Sequence, residues 1–178
     1  MALIGGVVLS GAACTIDLVR PPIRPGCGPG IAAEEDAIRD AALRFLFAKN
    51  ADAEPVDDRF LMKYYVGIVQ KTSQPVRSFF DSSTLSDPSP SLLARLSQNN
   101  PVVMPVSEAP TYEATSWPRS GMWDHLFTLG DMCWTGNNEI EIRGGRRPRF
   151  PSDTPYLMKV ARSGGHWVVG SYEYTGGR

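Results

Sequence analysis

The chain has 178 residues, of which 42% are hydrophobic and 21% charged, and its formal net charge is −1. This composition is typical of one globular domain, and the small charge excludes a whole-molecule field that would attract nucleic acid or an anionic membrane. Two histidines and three scattered cysteines, without CxxC or HExxH spacing, predict neither a metal site nor another cofactor.

The first 13 residues are apolar and carry no charge. A run of this length is too short to span a bilayer and is typical of the core of a signal peptide. Its end, Ser10-Gly11-Ala12-Ala13-Cys14, resembles a bacterial lipoprotein cleavage box in which Cys14 receives the lipid. Lipidation at Cys14 and simple cleavage near Ala13 both stay open, beside the alternative of a buried N-terminal element. We therefore expect an exported protein of the periplasm or outer cell envelope, whose only contact with the membrane would be a lipid anchor if Cys14 is lipidated.

Residues 14–30 have the composition of a linker, with four prolines and three glycines between Arg20 and Gly30. The folded domain is expected over residues 31–178. Export leaves Cys27 and Cys133 as a pair in an oxidising compartment, which predicts a disulfide between them. A loop of that size would stabilise the domain by roughly 4–5 kcal/mol in the chain-entropy model. The alternative for Cys133 is a buried free thiol.

The first predicted element is a helix over residues 32–50. Ile38, Ala42 and Phe45 fall on one face at helical spacing, acidic residues occupy the first turn, and Asn50 is expected to end the helix. Residues 59–70, rich in aromatic and branched side chains, predict a strand. A short helix follows within residues 87–101, with Ser89 or Ser91 as its N-cap.

The last third predicts β-structure. Residues 125–134, 139–143, 155–162 and 166–175 read as strands, separated by the turn signal at 135–138 and a hairpin loop at 163–165. The predicted class is α+β: a long N-terminal helix packed on a twisted antiparallel sheet that ends in a four-strand meander. The other face of the sheet is expected to be partly open.

Several runs, in this order, resemble a group of uncharacterised bacterial exported proteins and lipoproteins. They are Ala37-Ile38-Arg39-Asp40-Ala41, Pro90–Leu96, Pro105-Val106-Ser107-Glu108, Leu126–Trp134, Glu139–Gly145 and Gly164–Val169. The resemblance implies a nuclear-transport-factor-2-like or cystatin-like α+β domain and export, and it implies no catalytic residue. After Gly145 the chain departs from the pattern of the group, with RRPRF where small and aromatic residues are expected.

Two sets of aromatic residues are candidate ligand contacts. Tyr172 and Tyr174, together with Asp131, are expected to line a pocket on the open face of the sheet, and Tyr64, Tyr65 and Tyr156 are expected to join them. The alternative is an aromatic strand surface without a ligand. Trp117 and Trp123 lie in a predicted loop around Pro118 and Gly121, where they either form a binding surface or pack over the sheet edge.

Four arginines, Arg143, Arg146, Arg147 and Arg149, fall within seven residues that read as a loop between two strands. Such a cluster binds carboxylates or phosphates when it is functional, and is otherwise a solvated loop.

The two histidines are expected to lie at strand ends. Asp124-His125 is interpreted as a polar strand entrance and His166 as a solvated hairpin residue, both in preference to catalysis. In the last strand, alternation puts Trp167 and Val169 on the face that covers the helix and Tyr172 with Val168 on the other.

These features favour an exported, non-enzymatic domain that binds a protein or a small molecule at the cell envelope. The alternative is a small pocket enzyme of the nuclear-transport-factor-2-like type that acts by acid–base chemistry on a small molecule.

Overall fold

A computed structural model describes residues 26–27, 32–53, 63–70, 85–99, 101–109, 125–147 and 154–176. Within these ranges the chain forms two α-helices and one sheet of eight strands, which confirms the α+β class. The elements are β1 (Gly26–Cys27), α1 (Ala32–Ala53), β2 (Lys63–Val69), β3 (Leu85–Ser86), α2 (Pro90–Leu96), β4 (Val102–Pro105), β5 (His125–Gly136), β6 (Glu139–Arg147), β7 (Thr154–Ser163) and β8 (His166–Tyr174).

The sheet is mixed, with the strand order β3-β2-β5-β6-β7-β8. From β5 to β8 each strand pairs antiparallel with the next one in the sequence, whereas β2 runs parallel to both β4 and β5. The prediction of an antiparallel sheet is therefore wrong at β2. The long stretch of chain between β2 and β5, which contains α2, supplies the crossover that parallel pairing requires.

A two-residue strand lies inside the segment predicted to be a linker. In β1, Gly26 pairs with Trp134 and Cys27 pairs with Cys133 of β5. The expectation that residues 20–30 contain no regular structure is thus wrong for these two residues. Cys14 and the apolar segment before it lie outside the described residues.

Helix α1 covers one face of the sheet, here called the inner face. Its residues Ile38, Ala42 and Leu46 recur every four positions, so they share one side of the helix and are fully or almost fully buried. They pack against the buried side chains of the strands, mainly Val66, Phe127, Leu129, Met132, Trp134, Ile140, Ile142, Met158 and Val160. Neither helix in the described ranges is long and apolar enough to cross a membrane.

The short helix α2 is fixed at its start by a serine cap and a buried carboxylate. The Oγ of Ser89 accepts a hydrogen bond from the backbone N–H of Leu92 at 3.1 Å, which identifies Ser89 as the N-cap. Its hydroxyl donates to Asp36 of α1 at 2.7 Å, and Ser91 also donates to that carboxylate. These hydrogen bonds therefore connect the start of α2 to the first turns of α1.

The opposite, outer face of the sheet is polar along β6 and β7. Lys159 and Glu141 form an ion pair there at 3.5 Å. Under β2 and β5 a small second apolar cluster covers this face, built on Tyr65 and Leu126.

Candidate functional site

A bulge in β8 decides which side chains face α1. Lys159 pairs with Ser171 and Val160 pairs with Val169, so Gly170 is an extra residue with no partner in β7. An extra residue reverses the alternation of faces beyond it. Trp167 and Val169 lie on the inner face before the bulge, and Tyr172 returns to that same face after it, opposite buried Met158. The prediction that Tyr172 shares a face with Val168 is therefore wrong.

The inner-face tyrosines Tyr156, Tyr172 and Tyr174 form a continuous aromatic group, here called the tyrosine rim. The ring of Tyr156 lies 6.0 Å from that of Tyr172 and 6.3 Å from that of Tyr174. Tyr172 and Tyr174 remain 46% and 58% exposed, so the rim opens to solvent. The tyrosine rim therefore belongs partly to the solvent-exposed surface and partly to the interface between α1 and the sheet.

Helix α1 closes one side of the tyrosine rim with an aromatic ring and a cation. Phe45 packs against Tyr172 with ring centroids 4.8 Å apart. The ammonium of Lys49, one turn further along α1, lies 5.3 Å from the Tyr172 centroid and 5.9 Å from that of Phe45. At these distances the ring faces attract the cation and hold it at the mouth of the site.

Four polar residues on the neighbouring strands and at the end of α1 form a second group, here called the buried polar cluster: Asn50, Tyr64, His125 and Arg146. The amide nitrogen of Asn50 donates to the hydroxyl of Tyr64 at 3.0 Å, and the guanidinium of Arg146 donates to the Asn50 amide oxygen. His125 stacks edge-on against Tyr64 with centroids 5.9 Å apart. Asn50, Tyr64 and His125 are each only 1% exposed, so this is a polar group set in the core.

The electrostatics of the cluster follow from burial and from the charge of Arg146. Burial and, to a smaller extent, repulsion from the charge of Arg146 together lower the pKa of His125 to about 4, so the imidazole is neutral at pH 7. Burial raises the pKa of Tyr156, and the charges of Arg146 and Lys49 oppose that rise. Arg146 acts on both His125 and Tyr156, so the charge of the buried polar cluster also influences the tyrosine rim.

Only some of the residues predicted to line a pocket with Tyr172 and Tyr174 lie on the same face of the sheet as these two tyrosines. Tyr64, Tyr156, Tyr172 and Tyr174 come together on the inner face, whereas Tyr65 belongs to the apolar cluster on the outer face. Asp131 is exposed beside a register shift in β5, and two strands separate it from β8. It does not join the tyrosines. Trp117 and Trp123 lie outside the described residues.

The arginine run is strand rather than loop up to Arg147, because β6 extends to that residue. Arg143 is exposed and pairs with Leu157, whereas Arg146 pairs with Phe127 on the inner face. The strand continues through Gly144 and Gly145. Gly144 is packed so tightly that a Cβ there would come within 2.9 Å of Leu129, Met158 and a backbone oxygen, so this position requires glycine. Arg149 lies outside the described residues.

Two members of the buried polar cluster were not predicted as site residues. His125, interpreted from the sequence as part of a polar strand entrance, begins β5 but is buried, while Asp124 lies outside the described residues. Asn50 was expected to end α1, but the helix continues to Ala53 and turns the side chain inward. The available signal was its position four residues after Leu46, on the buried stripe of the helix. His166 is exposed, as expected for a hairpin residue.

Comparison of the chain with family models, with curated proteins and with solved structures gives no match. The described residues contain no group of three histidine, cysteine, aspartate or glutamate side chains placed to hold a metal ion. Function is therefore argued from the geometry of the tyrosine rim and the buried polar cluster.

Proposed function

We propose that the protein is a binding domain that takes up a small organic molecule between α1 and the inner face of the sheet. The molecule lies against the tyrosine rim with its polar group directed toward the buried polar cluster. Sites of this type combine a mostly apolar wall with a few convergent polar groups, which is the composition seen here.

One observation carries the proposal. Four separate elements, α1, β2, β5 and β6, each contribute one polar side chain to the buried polar cluster, next to aromatic rings that stay half exposed. Burying polar groups costs free energy that an apolar core of the same shape avoids. A cluster of polar groups with a solvent-facing aromatic entrance is accounted for by a ligand that uses both.

Binding is favoured over acid–base catalysis by the state of His125. An efficient general base has a pKa near the working pH, and burial together with Arg146 lowers the pKa of His125 to about 4. The imidazole then serves as a neutral, rigid wall beside Tyr64. The guanidinium of Arg146 and the amide of Asn50 are groups that orient a ligand rather than exchange protons with it.

Equilibrium dialysis of the purified protein against a bacterial small-molecule extract tests the proposal, with the retained compounds identified by mass spectrometry. The wild type should retain a defined compound, and the variant Tyr172→Ala/Tyr174→Ala should lose it. The matched control is Val168→Ala, which truncates an exposed side chain of the same strand on the outer face. Retention that is equal in all three proteins, or absent in all of them, would refute a site at the tyrosine rim.

The finer family assignment and export are part of the same proposal. We propose a nuclear-transport-factor-2-like or cystatin-like domain, because α1 lies on the inner face of four strands that pair in sequence order. The apolar first segment supports export with processing at or near Cys14. Intact-mass measurement of the protein isolated from a bacterial host should find a mature N-terminus there, with the added mass of a lipid if the anchor exists.

A disulfide between Cys27 and Cys133 also remains a proposal. Support comes from the backbone, where the two residues are direct partners of antiparallel strands. The Cα atoms of such partners lie about 4.5–5.5 Å apart, within the range that disulfides span. Cys133 lies in β5, while of Cys27 only the backbone is described. Non-reducing peptide mapping should recover the two cysteines in one linked peptide pair; two free thiols in oxidised protein would contradict the bridge.

A further inference from the structure

We propose that the protein forms a symmetric dimer in which β8 of one copy pairs antiparallel with β8 of a second copy, so that the two sheets join into one. The two-fold axis of the dimer passes between the two strands at Val169 and Gly170. The inference concerns the edge of the sheet, and it does not depend on whether the tyrosine rim binds a ligand.

The two edges of the sheet differ in how far they are protected from pairing. In the part of the chain that the structure describes, one edge is formed by β3 and β4, which have two and four residues, and β4 ends at Pro105, a residue without an N–H. The other edge is β8, which has nine residues and pairs, among the described strands, with β7 alone. Strand β8 contains no proline, lysine or arginine, the residues that commonly keep edge strands from pairing. It therefore presents its outer row of N–H and C=O groups to another strand.

The side chains of β8 also favour a partner. Among the described residues, four large hydrophobic side chains are exposed, and three of them, those of Val168, Tyr172 and Tyr174, belong to β8. The middle of the strand is equally open: Gly170 is exposed, and apart from its chain neighbours a Cβ there would meet no atom closer than the backbone oxygen of Lys159 at 4.0 Å. Exposed apolar side chains on an open sheet edge are a surface to which a further strand adds.

The bulge makes β8 complementary to itself. In a symmetric antiparallel pair, residues that lie opposite each other must point to the same face of the sheet. A regular strand whose two-fold axis fell between two residues would set inner side chains against outer ones. The extra residue Gly170 removes this conflict. With the axis at the bulge, Val168 lies opposite Ser171 on the outer face, and Trp167 lies opposite Tyr172 on the inner face.

The chemistry of the opposed residues selects this register. It sets His166 against Glu173, the one imidazole and the one carboxylate of β8, and the imidazole N–H donates to the carboxylate twice, once in each direction. Trp167 and Tyr172 form a cross-strand aromatic pair, which stabilises antiparallel strands. A register shifted by two residues would place Glu173 opposite Val168 and lose the hydrogen bond. This match of charge and aromatic groups identifies the partner as a second copy of the chain.

Sedimentation equilibrium of the purified full-length protein tests the dimer. We expect a mass twice that of the chain found by mass spectrometry, with a dissociation constant on the order of micromolar, because one pair of nine-residue strands forms a small interface. More dilute samples should be monomeric. A monomer at every concentration up to about 100 μM would overturn the inference.

The variant Val168→Lys places a cation on the outer face beside the two-fold axis, where the two copies repel each other. The dissociation constant should rise by at least about tenfold. The matched control is Val102→Lys, the same substitution at an exposed valine of β4 on the opposite edge, and it should dimerise as the wild type does. Thermal melts of dilute samples establish that both variants fold. Equal dissociation of the two variants, or dissociation of Val102→Lys alone, would show that β8 is not the interface.

Cross-linking tests the register. The variant Val168→Cys/Ser171→Cys should form a disulfide-linked dimer on mild oxidation, because opposed residues of antiparallel strands lie within the Cα separation that a disulfide spans. In the control Val168→Cys/Glu173→Cys the two positions are diagonal neighbours, so little linked dimer should form. Wild-type protein oxidised in parallel accounts for the native cysteines. More linked dimer in the control, or none in either variant, would overturn the proposed pairing.

Discussion

At one end of the interface between α1 and the inner face the side chains are apolar, and at the other end they are polar. The apolar end lies near the start of α1, where Trp134 and Trp167 meet edge to face with centroids 5.9 Å apart over Ile140 and Val160. The polar end lies near the end of α1 and contains the buried polar cluster and the tyrosine rim. The same helix and the same strands build both ends.

The comparison separates stability from binding within one fold. The apolar end gains free energy by removing apolar area from water, and its side chains leave little exposed ring surface. The polar end holds polar groups that lower the free energy of unfolding unless every one is hydrogen-bonded, and it leaves two tyrosines half exposed. We therefore expect substitutions at the apolar end to change stability, and substitutions at the tyrosine rim to change binding.

The largest effect is expected for Trp134→Ala at the apolar end. Trp134 is 4% exposed and packs on Trp167, so its truncation opens a cavity in the core. The cost should be about 3–5 kcal/mol of unfolding free energy, a large share of the 5–15 kcal/mol that holds a typical domain. Urea denaturation followed by circular dichroism measures it, with His166→Ala as an exposed control. A midpoint equal to that of the wild type would show that the apolar end does not carry the stability.

Acidification is expected to destabilise the polar end through His125. Its folded pKa of about 4 lies below the ordinary value of 6.5, so between these pH values the unfolded chain takes up a proton that the folded protein does not. Stability is therefore full above pH 6.5 and is lost as the pH falls to about 4, by on the order of 3 kcal/mol. Carboxylates elsewhere also titrate in this range, so the measurement is the difference between the wild type and His125→Phe.

The variant His125→Phe keeps a ring of similar shape and has no group that titrates in this range. Denaturant midpoints collected from pH 7 to pH 4 should fall more steeply for the wild type than for the variant. Parallel pH profiles would mean that His125 is protonated in the folded protein as readily as in the unfolded chain, and that the polar end is open to water at this position.

Trp167→Ala is expected to have a smaller effect than Trp134→Ala. From the sequence alone Trp167 is predicted to be buried, but it is only partly buried in the edge strand β8. Part of the ring is already in water, so the loss should be about 2 kcal/mol instead of the 3–5 kcal/mol of a fully buried tryptophan. Its denaturant midpoint should lie between those of Trp134→Ala and His166→Ala; a midpoint at or below that of Trp134→Ala would place the centre of the core under β8.

The sequence predicts the apolar end better than the polar end, and the reason is periodicity. Ile38, Ala42, Ile140 and Ile142 follow the regular spacing of a helix or a strand, and the structure buries all of them. The arrangement of the polar end depends on two backbone features that the spacing of residues in the sequence does not reveal. The bulge at Gly170 reverses the faces of β8, and the continuation of β6 through Gly144 brings arginine onto the inner face.

The parallel pairing of β2 with β5 could not be predicted from the sequence for a related reason. Strand β2 has the same composition whether its neighbour runs parallel or antiparallel, and only the path of the long connection to β5 decides the direction. That path places Tyr64 beside His125 in register, which is the contact on which the buried polar cluster is built. A local pattern identifies each of the two residues as part of a strand, but it does not pair them.

The smallest effect on stability, and a clear effect on binding, is expected for Tyr174. Its side chain is 58% exposed at the outer end of the tyrosine rim, so Tyr174→Ala should change the unfolding free energy by less than about 0.5 kcal/mol. Gly176→Ala gives a second variant that keeps the ring: a Cβ at Gly176 would collide with the Tyr174 side chain, which has room to swing into solvent. Both variants should melt as the wild type does and retain less of the compound that the wild type binds in equilibrium dialysis, because one removes the ring and the other displaces it. Thermal melts and dialysis of the two proteins side by side make the comparison, and unchanged retention in both would confine the site to Tyr156 and Tyr172.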